Sequence, residues 1–356
     1  MRLLLESAML LAVNNADVLS NKLLANLEYI LPEGWGVYLT PGRSTGEPDG
    51  LLEVTSPSGN RTVFVVETKS RFEPRDIDYV EHKLERLNAF GSPLLVTTAL
   101  SGRSRELLKE RNFSYADDNG NIRLSSNLFF VEHESDTKRE HTRGDLPRSS
   151  LRGPKTGRLV RYLLDARPPL KVRDIADVTA VNPGNVSRLL RLLDHDRLIT
   201  RDDRGMVTAV EWEALIRQWS ESLKKDRHYH SVLEPHGIQA FVGNLRARQH
   251  YAVTGSYGAA LIAPAAHTSA IDVYVTSASQ WIKELNLREA EGFGNIRLID
   301  AFDKVAFERT IQRSGLIVAN PSQVAADLLT LPKRSSDEYN TLIAWMKSNE
   351  RAWRLA

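Results

Sequence analysis

Residues 172–210, VRDIADVTAVNPGNVSRLLRLLDHDRLITRDDRGMVTAV, narrow what this chain can fold into more than any other stretch. A helix is predicted to open at Asn182, whose side chain can accept from the free amides of a first turn. Pro183 follows in the first helical position, where a missing N–H costs nothing. Val186, Leu189, Leu190 and Leu193 recur at i, i+3, i+4 and i+7, which buries one face as far as about His195. Asn185, Ser187, Arg188 and Arg191 fall on the opposite, polar face. Upstream, Val172, Ile175, Ala176 and Val178 give a shorter amphipathic turn, and Lys155 to Ala166 forms a third helix with Leu159, Leu163 and Leu164 inward. Downstream, Leu198-Ile199-Thr200 and Met206-Val207-Thr208 flank Asp202-Asp203-Arg204-Gly205, a hairpin with glycine in its turn.

Three helices followed by a hairpin is the order of a winged helix-turn-helix, whose second helix of the turn lies in a DNA groove. Asn and Arg carry the paired donors and acceptors that match adenine and guanine edges. The expected partner is therefore double-stranded DNA, met by Arg173, Asn182, Asn185, Ser187, Arg188 and Arg191, with Arg201 and Arg204 tipping the wing toward phosphate. The competing reading is a dimerisation or linker bundle, since short amphipathic helices with exposed arginines also serve there. Charge favours DNA: the whole chain carries +2, but residues 138–201 hold 15 Lys and Arg against 7 Asp and Glu.

At 356 residues the chain is long enough for two or three domains. It has no cysteine, so disulfides and thiolate zinc sites are excluded. No apolar run approaches a membrane span, and Glu6 interrupts the apolar N-terminal stretch, so a soluble cytoplasmic protein with no membrane partner is expected. His228, His230 and His236 are the one histidine cluster, without the helix or strand spacing that would converge them on a metal. The resulting division is a domain at 1–131, a charged linker at 132–154 and the winged helix at 155–210. A connecting helix at 211–230, with Trp212, Leu215, Ile216 and Trp219 on its packing face, and a last domain at 231–356 complete it.

In the first domain, residues 1–31 read as helix, and 35–40, 51–55 and 62–68 as strands. Residues 74–89 follow as helix, 93–98 as strand, 101–111 as helix, and 121–125 and 128–132 as short strands. Pro48-Asp49 and, farther on, Glu67-Thr68-Lys69 sit on this order. If the strands turn at Ser56 to Asn60, Asp49 lies opposite about residue 68, beside Glu67 and Lys69 on one face. This resembles the PD-(D/E)xK signature of restriction-endonuclease-like nucleases. The resemblance implies Asp49 and Glu67 as Mg²⁺ ligands, Lys69 as the group that steadies an attacking water, and Glu28 as a further acid. The opposing reading makes Asp49 a turn cap and Glu67 with Lys69 a surface ion pair.

In the last domain, Val253-Thr254-Gly255-Ser256-Tyr257-Gly258-Ala259-Ala260 precedes Ala270-Ile271-Asp272-Val273-Tyr274-Val275. This is similar to the nucleotidyltransferase pattern, a Gly-Ser turn into a helix and then a strand carrying two acids one residue apart. Tyr274 stands where the second acid belongs, and Asp300 in NIRLID does not restore the set, so the fold is expected without the chemistry. Together with Asn320-Pro321-Ser322-Gln323-Val324-Ala325-Ala326-Asp327-Leu328-Leu329 and Pro332-Lys333-Arg334, residues 155–356 resemble the AbiEi-type antitoxins and related bacterial regulators. Those proteins commonly begin with the winged helix, whereas this chain adds a domain in front. The expected fold class is thus α+β and multidomain: restriction-endonuclease-like, winged helix, then nucleotidyltransferase-like. The resemblance implies a transcriptional regulator that autoregulates an operon or counters a toxin partner; no cofactor is expected for it, and a homodimer is the common way for such a module to gain affinity. The alternative is an Mg²⁺-dependent endonuclease centred on Asp49, Glu67 and Lys69.

Overall fold

The structure, a computed structural model, describes residues 22–42, 48–86, 90–135, 151–223, 229–263, 270–290, 292, 294–330 and 336–355. The first 21 residues of the expected helix 1–31 lie outside these, as do most of the linker 132–154, the end of the helix 211–226, His228 and Pro332-Lys333-Arg334. The chain forms a mixed α and β structure that divides into two compact units, Met1–Leu146 and Pro147–Ala356.

The first unit begins with helix α1 (22–30) and strands β1 (Gly36–Pro41), β2 (Gly50–Thr55) and β3 (Arg61–Lys69). After them come α2 (Ile77–Glu85), β4 (Ser92–Thr97), α3 (Gly102–Glu110), β5 (Ser114–Asp117), β6 (Ile122–Ser125) and β7 (Phe130–His133). The seven strands pair in sequence order: β3, β4 and β5 run parallel at the centre, with antiparallel neighbours on both sides. Parallel strands are covered on both faces, which is why the middle of β3 reads as unbroken apolar sequence. Phe64 and Val66 pack with Leu23 and Leu27 of α1, whereas Val65 packs with Ile77, Val80 and Leu84 of α2 and Leu108 of α3. The β2–β3 turn closes where the sequence suggests, with Ser56 N–H donating to the Asn60 carbonyl at 2.9 Å. The register differs by one position, because Gly50 faces Val66. The expected helix 74–89 starts instead as a 3-10 turn, Pro74–Asp76, closed by the Asp76 carboxylate accepting from Glu73 N–H at 2.9 Å.

The second unit starts with α4 (Pro154–Asp165), α5 (Val172–Thr179), α6 (Pro183–His195), β8 (Ile199–Arg201), β9 (Val207–Val210) and α7 (Trp212–Leu223). It continues with β10 (Tyr229–Leu233), α8 (Ile238–Arg246), β11 (Tyr251–Thr254), α9 (Gly255–Ile262), β12 (Ile271–Val275), α10 (Ala278–Glu284), β13 (Arg288–Glu289) and β14 (Ile296–Asp300). Strands β15 (Ile311–Arg313) and β16 (Leu316–Val318) and helices α11 (Pro321–Leu328) and α12 (Ser336–Ser348) close it. Its large sheet runs β13-β10-β14-β12-β11-β16-β15. Where the sequence suggests a winged helix, a connecting helix and a separate last domain, a single apolar cluster runs from Leu151 in front of α4 through Trp219 of α7 to Trp353. Helix α11, buried at every position, is the hub of that core.

A buried polar chain joins α4 to α11. Asp165 accepts from Arg161 at 3.0 Å, from Arg309 at 2.6 Å and from the Ser322 hydroxyl, while Arg161 also donates to Gln323 at 2.8 Å. Gln323 passes the chain to Asp327 at 2.7 Å, and Asp327 takes further bonds from the Thr254 and Tyr274 hydroxyls. Charges this deep are tolerated only when paired and hydrogen-bonded.

Candidate nucleic-acid interface

Helix α6 has the cap expected of it: Asn182 Oδ1 accepts from Gly184 N–H at 2.8 Å and Pro183 is its first residue. Val186, Leu189, Leu190 and Leu193 are buried against α4, α5 and the wing. Asn182, Asn185, Arg188 and Arg191 are exposed, and Ser187 is half-buried. Asn185, Arg188 and Arg191 have no side-chain hydrogen bond or ion pair among the described residues, so their donors are open to a ligand. The turn before α6 is held by Ala180, which caps α5 in the left-handed region at φ 53°, and by Val181 N–H donating to the Ala176 carbonyl at 3.2 Å. Arg173 is exposed in the first turn of α5.

The wing is built by Asp202, whose carboxylate accepts from the N–H groups of Arg204 (3.0 Å) and Met206 (2.8 Å). Gly205 supplies the left-handed residue, at φ 78°. Leu170 and Val207 exchange backbone bonds at 2.9 Å, which adds a third short segment to the two-stranded wing. The two wing arginines part company here. Arg204 is exposed at the tip, whereas Arg201 is half-buried and folds over the turn, with Nε donating to the Gly205 carbonyl at 3.4 Å.

Residues 155–203 match the IclR helix-turn-helix domain, a span that covers most of α4, all of α5, α6 and β8, and the first half of the wing turn. No curated protein and no solved structure matches the chain. The sequence match and the fold agree on one conclusion. The chain carries a DNA-binding winged helix-turn-helix of the kind found in transcription regulators. No helix among the described residues is long and apolar enough to cross a membrane.

In the N-terminal unit the structure does bring Asp49 and Glu67 together just before β2 and near the end of β3, and protein groups engage one oxygen of each, while Glu67 Oε2 is buried without a hydrogen-bond partner among the described residues. Asp49 Oδ2 accepts from both the N–H and the hydroxyl of Thr68 at 2.7 Å. Glu67 Oε1 is held by the Lys83 ammonium of α2. Lys69 turns away to Asp76 at 3.0 Å, and Glu28 is exposed on α1 with no ion pair to this cluster. Burial, reinforced by the Asp49 charge, pushes the Glu67 carboxyl above the usual carboxylate range against the pull of Lys83. Burial works against the Lys83 ammonium too, but its hydrogen bond to Glu67 together with the nearby charges of Glu67 and Asp49 outweighs that and raises it above its ordinary value. A cation thus already sits on this acid pair, supplied by the chain. The described residues hold no group of three or more His, Asp or Glu suited to a metal.

The C-terminal sheet carries the positions of the nucleotidyltransferase pattern on adjacent strands, with their groups likewise engaged. Asp272 forms a two-pronged pair with Arg297 of β14, and Ser256 at the start of α9 donates to Glu338 of α12. Tyr274, standing at the second acid position, is buried and donates to Asp327 at 3.2 Å. Asp300 ends β14, accepting from Ala278 N–H at 2.7 Å and meeting His230 at 3.0 Å, while His236 meets Glu234 at 3.0 Å. Sequence reasoning missed Lys83 and the Arg161–Asp165 pair. Lys83 has one local signal, its place three residues after inward Val80 on α2, but nothing nearby names Glu67 as its partner.

Proposed function

We propose that this protein is a sequence-recognising transcription regulator that lays α6 in the major groove. In this arrangement Asn185, Arg188 and Arg191 face base edges and Arg204 meets the phosphate backbone. One observation carries the reading: on α6 the apolar side chains are all inward, while the exposed amide and guanidinium groups have no partner among the described residues. The local excess of Lys and Arg between 138 and 201 supplies the electrostatic footprint, which makes affinity fall with salt. Two copies on a two-fold-symmetric operator would double that footprint, and light scattering with and without operator DNA reads that pairing.

The test is a selection of bound fragments from genomic DNA, followed by Arg188→Ala on the preferred site. Loss of a bidentate base contact weakens that site by about 1–3 kcal/mol and leaves non-specific DNA unaffected. An equal loss on every sequence overturns base reading by this residue. The same selection run with Mg²⁺ also reports cutting, and intact DNA is the outcome expected while the Lys83 ammonium holds Glu67.

A further inference from the structure

Among the described residues, the two large sheets end on β1, β7, β13 and β15, and β1 alone of these carries no charged side chain. Strand β7 holds Glu132, β13 is Arg288–Glu289 and β15 ends in Arg313. Charge on an edge is one way proteins keep it from pairing with another chain. In β1 the sequence is Gly36-Val37-Tyr38-Leu39-Thr40-Pro41, and among the described residues it pairs with β2 alone. Alternation decides which of its backbone groups stay open. Gly42 N–H donates to the Asp49 carbonyl at 2.9 Å and continues the β1–β2 register, so the even-numbered residues of β1 turn their amides and carbonyls toward β2. Val37 and Leu39 turn theirs to the open edge. Pro41 does the same, and its missing N–H ends the run there. Tyr38, between the two open residues, is 67% exposed, while Val37 and Leu39 pack against the apolar cluster that holds α1.

We propose that two copies of this chain join edge to edge through β1, antiparallel and about a two-fold axis at Tyr38. In that register Val37 of each copy faces Leu39 of the other, and each of these two pairs exchanges both backbone hydrogen bonds. The two Tyr38 side chains meet at the position between them, where no backbone bonds form and Cα atoms approach to about 4.5 Å. Aromatic pairs at such positions stabilise a sheet. A two-fold pairing sets one surface against itself, so it favours a strand that opposes no like charges, and β1 has none to oppose. Val37 and Leu39 would also carry the apolar layer beneath α1 across the junction. The proposal names a surface for the pairing of copies and does not rest on base reading by α6, since the dimer forms without DNA.

Sedimentation of the full chain without DNA tests the proposal. The wild type dimerises at micromolar concentration. Tyr38→Lys sets two ammonium groups face to face and raises the dissociation constant about tenfold, and Tyr38→Glu does the same with two carboxylates. An equal mixture of the two variants restores the dimer, because opposite charges then meet across the axis. The chain has no cysteine, which gives a second readout. Tyr38→Cys brings two thiols within disulfide reach and yields a linked dimer on mild oxidation. Thr40→Cys, whose two positions stand roughly 14 Å apart in this register, does not. Thermal melting establishes that each variant is folded, and if the charge variants are not, the cysteine variants decide. Three results overturn the proposal: a wild-type monomer at every concentration, as when another part of the same chain takes the edge, a dimer that Tyr38→Lys leaves intact, or equal linking of the two cysteine variants.

Discussion

The N-terminal acid cluster and the outer face of α6 are both dense in charged and polar side chains, and the fold treats them in opposite ways. Asp49, Glu67, Lys69, Asp76 and Lys83 are turned onto one another or onto Thr68, so most of the cluster's charge is met by the chain that carries it, with Glu67 Oε2 left over. Asn185, Arg188 and Arg191 are turned outward, with no partner among the described residues. The difference shows why residue type alone is a poor guide to chemistry. What distinguishes a site from a brace is whether the donors and acceptors are already spent inside the molecule.

The strongest way to press this contrast is through the brace that most resembles a site, the Asp165 cluster. Asp165→Ala leaves the fully buried Arg161 guanidinium without its anion and Arg309 with only Glu308, and is expected to destabilise the second unit by about 3–5 kcal/mol. Urea unfolding followed by tryptophan fluorescence reads that loss, and a change within about 0.5 kcal/mol would show that the cluster does not brace the fold.

Next in size is Lys83→Met, which removes the cation from Glu67. The half-exposed lysine is partly screened, so a loss of about 1–2 kcal/mol from the N-terminal unit near neutral pH is expected. That penalty should shrink in acid. The folded pKa of Glu67 is raised, so the stability its proton contributes is fully present below the unfolded value and is lost as pH rises through the raised one. Asp76 works in the other direction. Burial opposes its charge, but the Glu73 N–H and Lys69 hold it below its usual value, so its contribution is present at neutral pH and lost as pH falls through the lowered value. Melting temperatures of wild type and variant across pH 4 to 8 read both slopes, and a Lys83→Met penalty that grows in acid would contradict the assignment.

The smallest effect separates the two wing arginines. Arg204→Ala should lower the magnitude of the salt slope of DNA binding by about 0.9, one phosphate contact. Arg201→Ala should leave that slope nearly unchanged, because its guanidinium lies over the Gly205 carbonyl. Identical slopes for the two variants would mean that Arg201 swings out on DNA.

The parts of the fold legible in the sequence were those whose causes sit close together along the chain. Asn182 and Pro183 start α6, its leucines give it one buried face, and the Asp202-Asp203-Arg204-Gly205 turn closes the wing, each through contacts spanning a few residues. Six strands of the first unit were readable for the same reason, but β5 was not expected, and the register places Asp49 a residue earlier along β3 than expected. A pairing shift of one residue is set by the hydrogen bonds of the closing turn, which a hydrophobic pattern does not encode.

The features that escaped join distant parts of the chain. Glu67 finds Lys83 across the crossover from β3 to α2, and α4 finds α11 through bonds spanning more than a hundred residues. On α4, Arg161 counts toward the basic segment of the sequence, yet it is fully buried beside Asp165.

By itself the amino-acid order determined that a capped, one-sided helix and a hairpin would stand where DNA-reading elements stand, because capping and periodicity act within a turn or two. Only the tertiary structure decided which charges remained open and fused the winged helix to the C-terminal sheet. Those outcomes depend on which remote segment arrives with the matching charge or volume, and burial makes that arrival decisive by removing water as the alternative partner.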